Sequence, residues 1–159
     1  MQQVSVLNYL TSHDDGQPFD KERTRVLEAA NKLLLAPGAA QIYYGDEVGR
    51  PLQVQGANGD ANLRSVMSWA LDDTREQYLL HWTKLGQFRR EHLAVGAGRH
   101  MTLQNTPYLC RRRLSDDMVL IGLDWPSGTK EIPVYGNFSD GTSLEDHYSV
   151  NGWWSNKER

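Results

Sequence analysis

The chain holds 159 residues, 39% hydrophobic and 23% charged, with 17 Lys and Arg against 20 Asp and Glu for a formal charge of −3. That length suits one domain with a smaller second part and falls short of a complete (β/α)8 enzyme, which needs about 250 residues. The composition is that of a globular chain with a core, and its acidic balance lacks the positive excess with which nucleic-acid binders meet phosphates, so no nucleic-acid partner is expected.

Val4 to Leu10 is rich in β-branched and aromatic residues and is stopped by the polar cluster Thr11 to Gly16, which predicts a strand and then a loop. Asp20 is placed to cap a helix whose apolar positions Val26, Leu27, Ala30, Leu33 and Leu34 recur at the spacing of one buried face; Ala36-Pro37-Gly38 ends it. Ala39 to Tyr44 predicts a second strand. Strand, helix, strand with short connections is a βαβ unit, so the strands should be parallel. The polar stretch from Gly45 to Ser68 reads as one long loop, of a length usually functional or disordered.

Thr74-Arg75-Glu76-Gln77 matches a capping box. The helix after it, to about Arg90, carries Tyr78, Leu79, Trp82, Leu85 and Phe88 on one face. Beyond Gly96 and Gly98, Tyr108 to Leu114 and Met118 to Trp125 are extended runs separated by Ser115-Asp116-Asp117, a predicted hairpin in which Val119, Ile121 and Leu123 alternate with their neighbours. Glu131 to Tyr135 and Ser143 to Val150 read as further short strands. The chain therefore divides into a β-α-β-loop-α part, residues 1–95, and an antiparallel β part, residues 96–159. Two parallel strands and two amphipathic helices cannot cover their own apolar faces, so the first part calls for strands that these residues do not supply.

Cys110 has no partner for a disulfide or a four-ligand zinc site and reads as a small hydrophobe in a strand. No run of about 18 apolar residues predicts a membrane helix, and Met1-Gln2-Gln3-Val4 does not open a signal peptide. The histidines at 81, 92, 100 and 147 lack metal-site spacing and companion ligands, so neither metal nor cofactor is expected. In the triplet Arg111-Arg112-Arg113, alternation sends Arg112 to one face, most simply on a solvated edge strand. Trp69 and Trp82 are read as packing residues, and so are Trp125, Trp153 and Trp154 in preference to stacking on sugar rings.

Ligands of parallel α/β folds approach the carboxyl ends of strands, which directs attention to Ser12-His13-Asp14-Asp15 and Tyr43-Tyr44-Gly45-Asp46-Glu47. An imidazole beside carboxylates can do acid/base work or bind sugar hydroxyls. The plainer alternative is that Asp14 and Asp15 are loop carboxylates and His13 a partly exposed ring.

Three segments in order resemble the α-amylase family. Tyr9-Leu10-Thr11-Ser12-His13-Asp14 is similar to the motif ending the seventh barrel strand, with Ser12 in place of the usual Asn, as in a branch that includes periplasmic-type members. Pro37 to Glu47, ending in Tyr43-Tyr44-Gly45-Asp46-Glu47, resembles the eighth-strand motif, and Asn62 to Trp69 resembles the Arg-x-x-Met-x-Trp pattern that follows it. The resemblance implies an α/β plus all-β fold: the last βαβα part of a (β/α)8 barrel, then an antiparallel β-sandwich domain. Family members usually have one or two strands to go at the stretch Asp146 to Gly152, so an incomplete sandwich is expected.

By the same match the function would be that of a retaining glycoside hydrolase on α-1,4-glucans. Asp14 would stabilise the transition state, and His13 and Arg64 would bind substrate. The nucleophile and the acid belong to motifs of the fourth and fifth strands, which are missing here, while Asp46 and Glu47 sit at a position that is structural in the family. The chain alone is therefore expected to be inactive. Its expected partners are an α-glucan oligosaccharide or starch and the missing N-terminal part of the barrel, with self-association through uncovered edges; the parent would be periplasmic or secreted. The alternative is a non-catalytic glucan-binding or interaction module built on the Trp-rich β part.

Overall fold

A computed structural model describes residues 6–134, 136–139 and 141–148. Val4 and Ser5 of the first expected strand, the ends of the strands expected at 131–135 and 143–150, and the Trp153–Trp154 pair lie outside the described residues. The chain divides into two compact units, Met1–Arg90 and Glu91–Arg159.

In the first unit, β1 (Leu7–Asn8) pairs in parallel with β2 (Ala39–Ala40), in the register Leu7↔Ala39 and Asn8↔Ala40, and α1 (Val26–Leu34) makes the crossover. The parallel βαβ order is thus as expected, but both strands are far shorter than the apolar runs that announced them. Asn8 explains where β1 stops: its Nδ2 donates to the carbonyls of Pro37 (2.8 Å) and Ala39 (3.0 Å), using the side chain to hold the incoming strand.

Helix α1 buries Val26, Ala29, Ala30, Leu33 and Leu34. Leu27, expected in that face, is 43% exposed, and Ala29 takes the place in it. Each large aliphatic side chain so buried contributes about 1.5–3 kcal/mol. Asp20 does not cap α1 directly. Its buried carboxylate accepts the amides of Thr24 (3.0 Å) and Arg25 (2.9 Å), organising the turn that delivers the chain to the helix.

The segment read as one long loop contains two 3-10 turns, Asp46–Val48 and Gly59–Arg64. Helix α2 (Asp73–Glu91) follows. The Asp72 carboxylate accepts the Arg75 amide at 2.9 Å, so Asp72 and not Thr74 satisfies the free N–H groups at this helix start. Within the unit α2 is fastened to α1 by polar contacts as well as by buried Trp82 and Leu85. Trp82 Nε1 donates to Val26 O at 3.2 Å. Arg89 Nη1 donates to Leu34 O and Ala36 O, each at 2.8 Å, and its Nη2 to Gly38 O, so one guanidinium serves the free carbonyls at the end of α1 and the turn into β2. Trp69, expected to pack, is 84% exposed, and its neighbour Val66 is 92% exposed.

The second unit opens with α3 (Ala94–Ala97) and continues as an antiparallel sheet in the order β3 (Arg99–Gln104), β4 (Tyr108–Leu114), β5 (Asp117–Leu123). The expected hairpin is present, closing on the pair Leu114↔Asp117 with Ser115 at φ 53. Strand β3 was not foreseen, and it overturns the edge-strand reading of the arginine triplet: β4 lies in the centre of the sheet and Arg112 is buried. Arg112 is tolerated there because Nη1 donates to Val95 O and Nε to His100 Nδ1 (3.3 Å). Cys110 is buried and free, as its reading as a small hydrophobe requires. Trp125 is half-buried, donating from Nε1 to Tyr108 O at 3.0 Å across the side-chain-free surface of Gly122. Among the described residues, 131–134 and 141–148 form no strand, so the antiparallel part consists of one three-stranded sheet. No helix among them is long and apolar enough to cross a membrane.

Candidate active site

Parallel pairing of β1 with β2 sends both chain ends out of the same edge of the sheet, which is where ligands meet such folds. The loop after β1 carries Ser12, His13 and Asp14. The segment after β2 carries Tyr43, Tyr44 and the first 3-10 turn.

His13 Nε2 lies 3.5 Å from Asp14 Oδ2, with both side chains well exposed (64% and 61%). Ser12 Oγ donates to Asp14 Oδ1 at 2.9 Å, which steers the carboxylate without burying it. The pair therefore offers solvent a carboxylate that accepts and an imidazole that donates or accepts, the equipment for binding vicinal hydroxyls.

Arg64 comes from the second 3-10 turn and reaches the same place. Its Nε donates to the His13 backbone carbonyl at 3.1 Å, and its Nη2 lies 3.8 Å from Asp60 Oδ2. The three residues singled out from the sequence are thus brought together, although 51 positions separate Arg64 from His13.

What holds Arg64 there is a device that the sequence did not disclose. Residues 63 and 65, on either side of it, are gripped through their carbonyls. Leu63 O accepts from Tyr43 Oη (3.0 Å) and Arg50 Nη2 (3.1 Å). Ser65 O accepts from Tyr44 Oη (2.8 Å) and Arg50 Nη1 (3.4 Å), and Ser65 Oγ accepts from Arg50 as well. Arg50 Nε turns back to Tyr44 O at 3.0 Å, and its guanidinium stands 4.0 Å from the Tyr44 ring centroid and 5.5 Å from that of Tyr43. The two tyrosine rings meet edge to face at 4.6 Å. Burial, with Tyr44 alongside, pushes the Tyr43 phenol above its usual range, so it stays a neutral donor.

Gly45 makes this possible. It sits at φ 82, and a Cβ there would fall 2.5 Å from Arg50 Cβ. The one signal that could have exposed the device is an arginine five residues after a glycine in an otherwise polar loop, a pattern too common to act on.

Asp46 is buried and paired with Arg23, whose Nη2 lies 2.7 Å from Oδ1. Burial pushes its carboxyl up, and Arg23 opposes that only in part. Arg23 also donates from Nε to Arg50 O at 2.8 Å. These contacts make Asp46 part of the scaffold beneath the site, as its structural reading implied, and leave it no access to a ligand. Among the described residues no group of three or more His, Cys, Asp and Glu side chains is placed to hold a metal ion.

The periplasmic α-amylase of Escherichia coli (strain K12) is 40% identical to this chain over 128 residues. The chain is a relative of the α-amylases. The match covers 76% of the chain and 18% of the E. coli protein, so this α-amylase relative spans under a fifth of that protein's length. Among solved structures, the α-amylase from Geobacillus thermoleovorans, crystallised with acarbose, superposes with a TM-score of 0.58 at 23% identity, over 74% of this chain and 27% of that one. The debranching enzyme from Nostoc punctiforme gives 0.51 at 26% identity, over 73% and 24%. No family model matches the chain.

Proposed function

We propose that the chain is the part of an α-amylase-type retaining glycoside hydrolase that supplies one side of the cleft for α-1,4-glucans, oligosaccharide or starch. In this reading residues 1–95 are the last βαβα part of a (β/α)8 barrel, residues 96–159 belong to its β-sandwich domain, and the parent enzyme is periplasmic or secreted. The identity to a periplasmic α-amylase supports the family and the compartment. The observation that carries the site is the exposed His13–Asp14 pair at a parallel strand end, with Arg64 bonded to its backbone.

Asp14 then accepts hydrogen bonds from sugar hydroxyls, bonds that strengthen as the ring flattens toward an oxocarbenium-like transition state. His13 donates to the sugar at the cleaved bond, and Arg64 binds the substrate while holding the His13 loop. Retaining cleavage also needs a nucleophile and an acid about 5 Å apart. The reading assigns both to barrel strands from the rest of the enzyme, so the chain alone does not turn over glucan.

The apolar residues in and beside the two short strands agree with such neighbours: Val6, Leu7, Tyr9 and Ile42 are 49%, 56%, 53% and 48% exposed. The same edges favour self-association of the isolated chain.

The test is maltooligosaccharide hydrolysis by the chain alone and by the longer polypeptide containing it. Activity only in the latter, lost by at least about a hundredfold in Asp14→Asn, is the expected result. Turnover by the chain alone would refute the reading.

A further inference from the structure

Three side chains from distant parts of the second unit meet beside its sheet: His92, which follows α2; Asp117, the first residue of β5; and His147. Asp117 Oδ2 accepts the Ala94 amide at 2.7 Å, at the start of α3, and Oδ1 faces His92 Nδ1 at 2.8 Å. A carboxylate oxygen accepts, so Nδ1 is the nitrogen of His92 that donates to Asp117, and Nε2 is the one turned away from it.

That nitrogen lies 3.4 Å from Nε2 of His147, with the two rings edge to face and their centroids 4.8 Å apart. Glu145 Oε2 stands 3.9 Å from the same nitrogen of His147. The two imidazoles are each about three-quarters shielded, at 25% and 24% exposure, while Glu145 is open to solvent.

We propose that His92 and His147 form a two-nitrogen site for a borderline divalent transition-metal ion such as Zn2+, with Asp117 as the positioning carboxylate and Glu145 adding negative charge. Two imidazole nitrogens bound to one tetrahedral ion at about 2.0–2.1 Å stand about 3.4 Å apart, which is the separation already present here. A ligating histidine whose other nitrogen donates to a carboxylate is the usual outer-shell arrangement, fixing tautomer and ring orientation.

Since no third His, Cys, Asp or Glu among the described residues completes a ligand set, water fills the remaining positions. Ca2+ and Mg2+, which prefer oxygen ligands, are poor occupants. The histidines are 55 positions apart, which is why their sequence spacing gave no sign of a metal.

Calorimetric titration of the full chain with ZnCl2 tests this. One ion per chain is expected, weakened at least tenfold in His147→Ala and about 10–100-fold in Asp117→Asn, with CaCl2 giving no binding. His13→Ala, which alters the other histidine–carboxylate pair, should leave the affinity unchanged. Circular dichroism of each variant shows that it is folded; His147 lies outside every helix and strand, so its replacement spares the scaffold. Failure of the wild-type chain to bind Zn2+, or equal binding by wild type and His147→Ala, overturns the proposal.

Discussion

Arg64 donates from Nε to the His13 carbonyl at 3.1 Å, tying the loop after β1 to the turn that follows β2. The bond goes to backbone, so it fixes where the His13 and Asp14 side chains start without occupying either of them. On the proposed function, a residue in that position should affect ligand affinity more than folding.

Arg64→Ala is therefore expected to change stability by no more than about 1 kcal/mol, because the side chain is exposed and its pairing with Asp60 is a solvated ion pair. In the longer enzyme the same change should raise KM for maltooligosaccharides about tenfold, the equivalent of about 1.4 kcal/mol of binding. Thermal melts and steady-state kinetics separate the two effects.

Arg50 carries the opposite expectation. It is 2% exposed, and its donors serve the carbonyls of Tyr44, Leu63 and Ser65. A lysine has one ammonium in place of the fork and cannot reach all three, so Arg50→Lys gives up charge-assisted hydrogen bonds at a buried position and leaves Leu63 O and Ser65 O to the tyrosine hydroxyls alone. A loss of about 3 kcal/mol in urea unfolding is expected, and with it a loosened 63–65 segment.

The contrast between Arg64 and Arg50 also shows what was legible in the sequence. The α1 face, the parallel order of β1 and β2 and the β4–β5 hairpin are written in local periodicity, and His13, Asp14 and Arg64 in short motifs. Arg50 and Arg112 were illegible because a buried arginine is defined by carbonyls from other segments, Leu63 and Ser65 for one and Val95 for the other. Asp72 displaced Thr74 as the helix cap because two capping residues stand two positions apart, and the Arg75 amide goes to the Asp72 carboxylate. Trp69 reads as a packing residue from its motif alone, and among the described residues nothing covers it.

Trp69 and Trp82 should accordingly report opposite environments. The emission lost in Trp69→Phe should be readily quenched by acrylamide, and the emission lost in Trp82→Phe should be shielded, given exposures of 84% and 3%. Equal quenching of the two would mean that Trp69 is covered, for example by a second copy of the chain.

His81 makes the first unit sensitive to pH. Its Nε2 lies 3.1 Å from Leu27 O, which only accepts, so Nε2 carries a proton. Burial holds its pKa below the usual 6.5; the Leu27 carbonyl works against that shift and Lys84 adds to it. The unfolded chain therefore takes up the proton first as pH falls, and folding stability, complete above about 6.5, declines as pH drops toward the lowered folded value. One such group supplies at most about 1.4 kcal/mol per pH unit. Urea unfolding between pH 8 and 5.5 should show this decline, and His81→Gln, which keeps a donor for Leu27 O but cannot titrate, should flatten it. His100, whose pKa is lowered by burial and by Arg112, acts in the same direction and leaves a residual slope in that variant. A slope identical in wild type and His81→Gln would show that the ring is protonated in the folded chain, which its contact with the Leu27 carbonyl alone would not prevent.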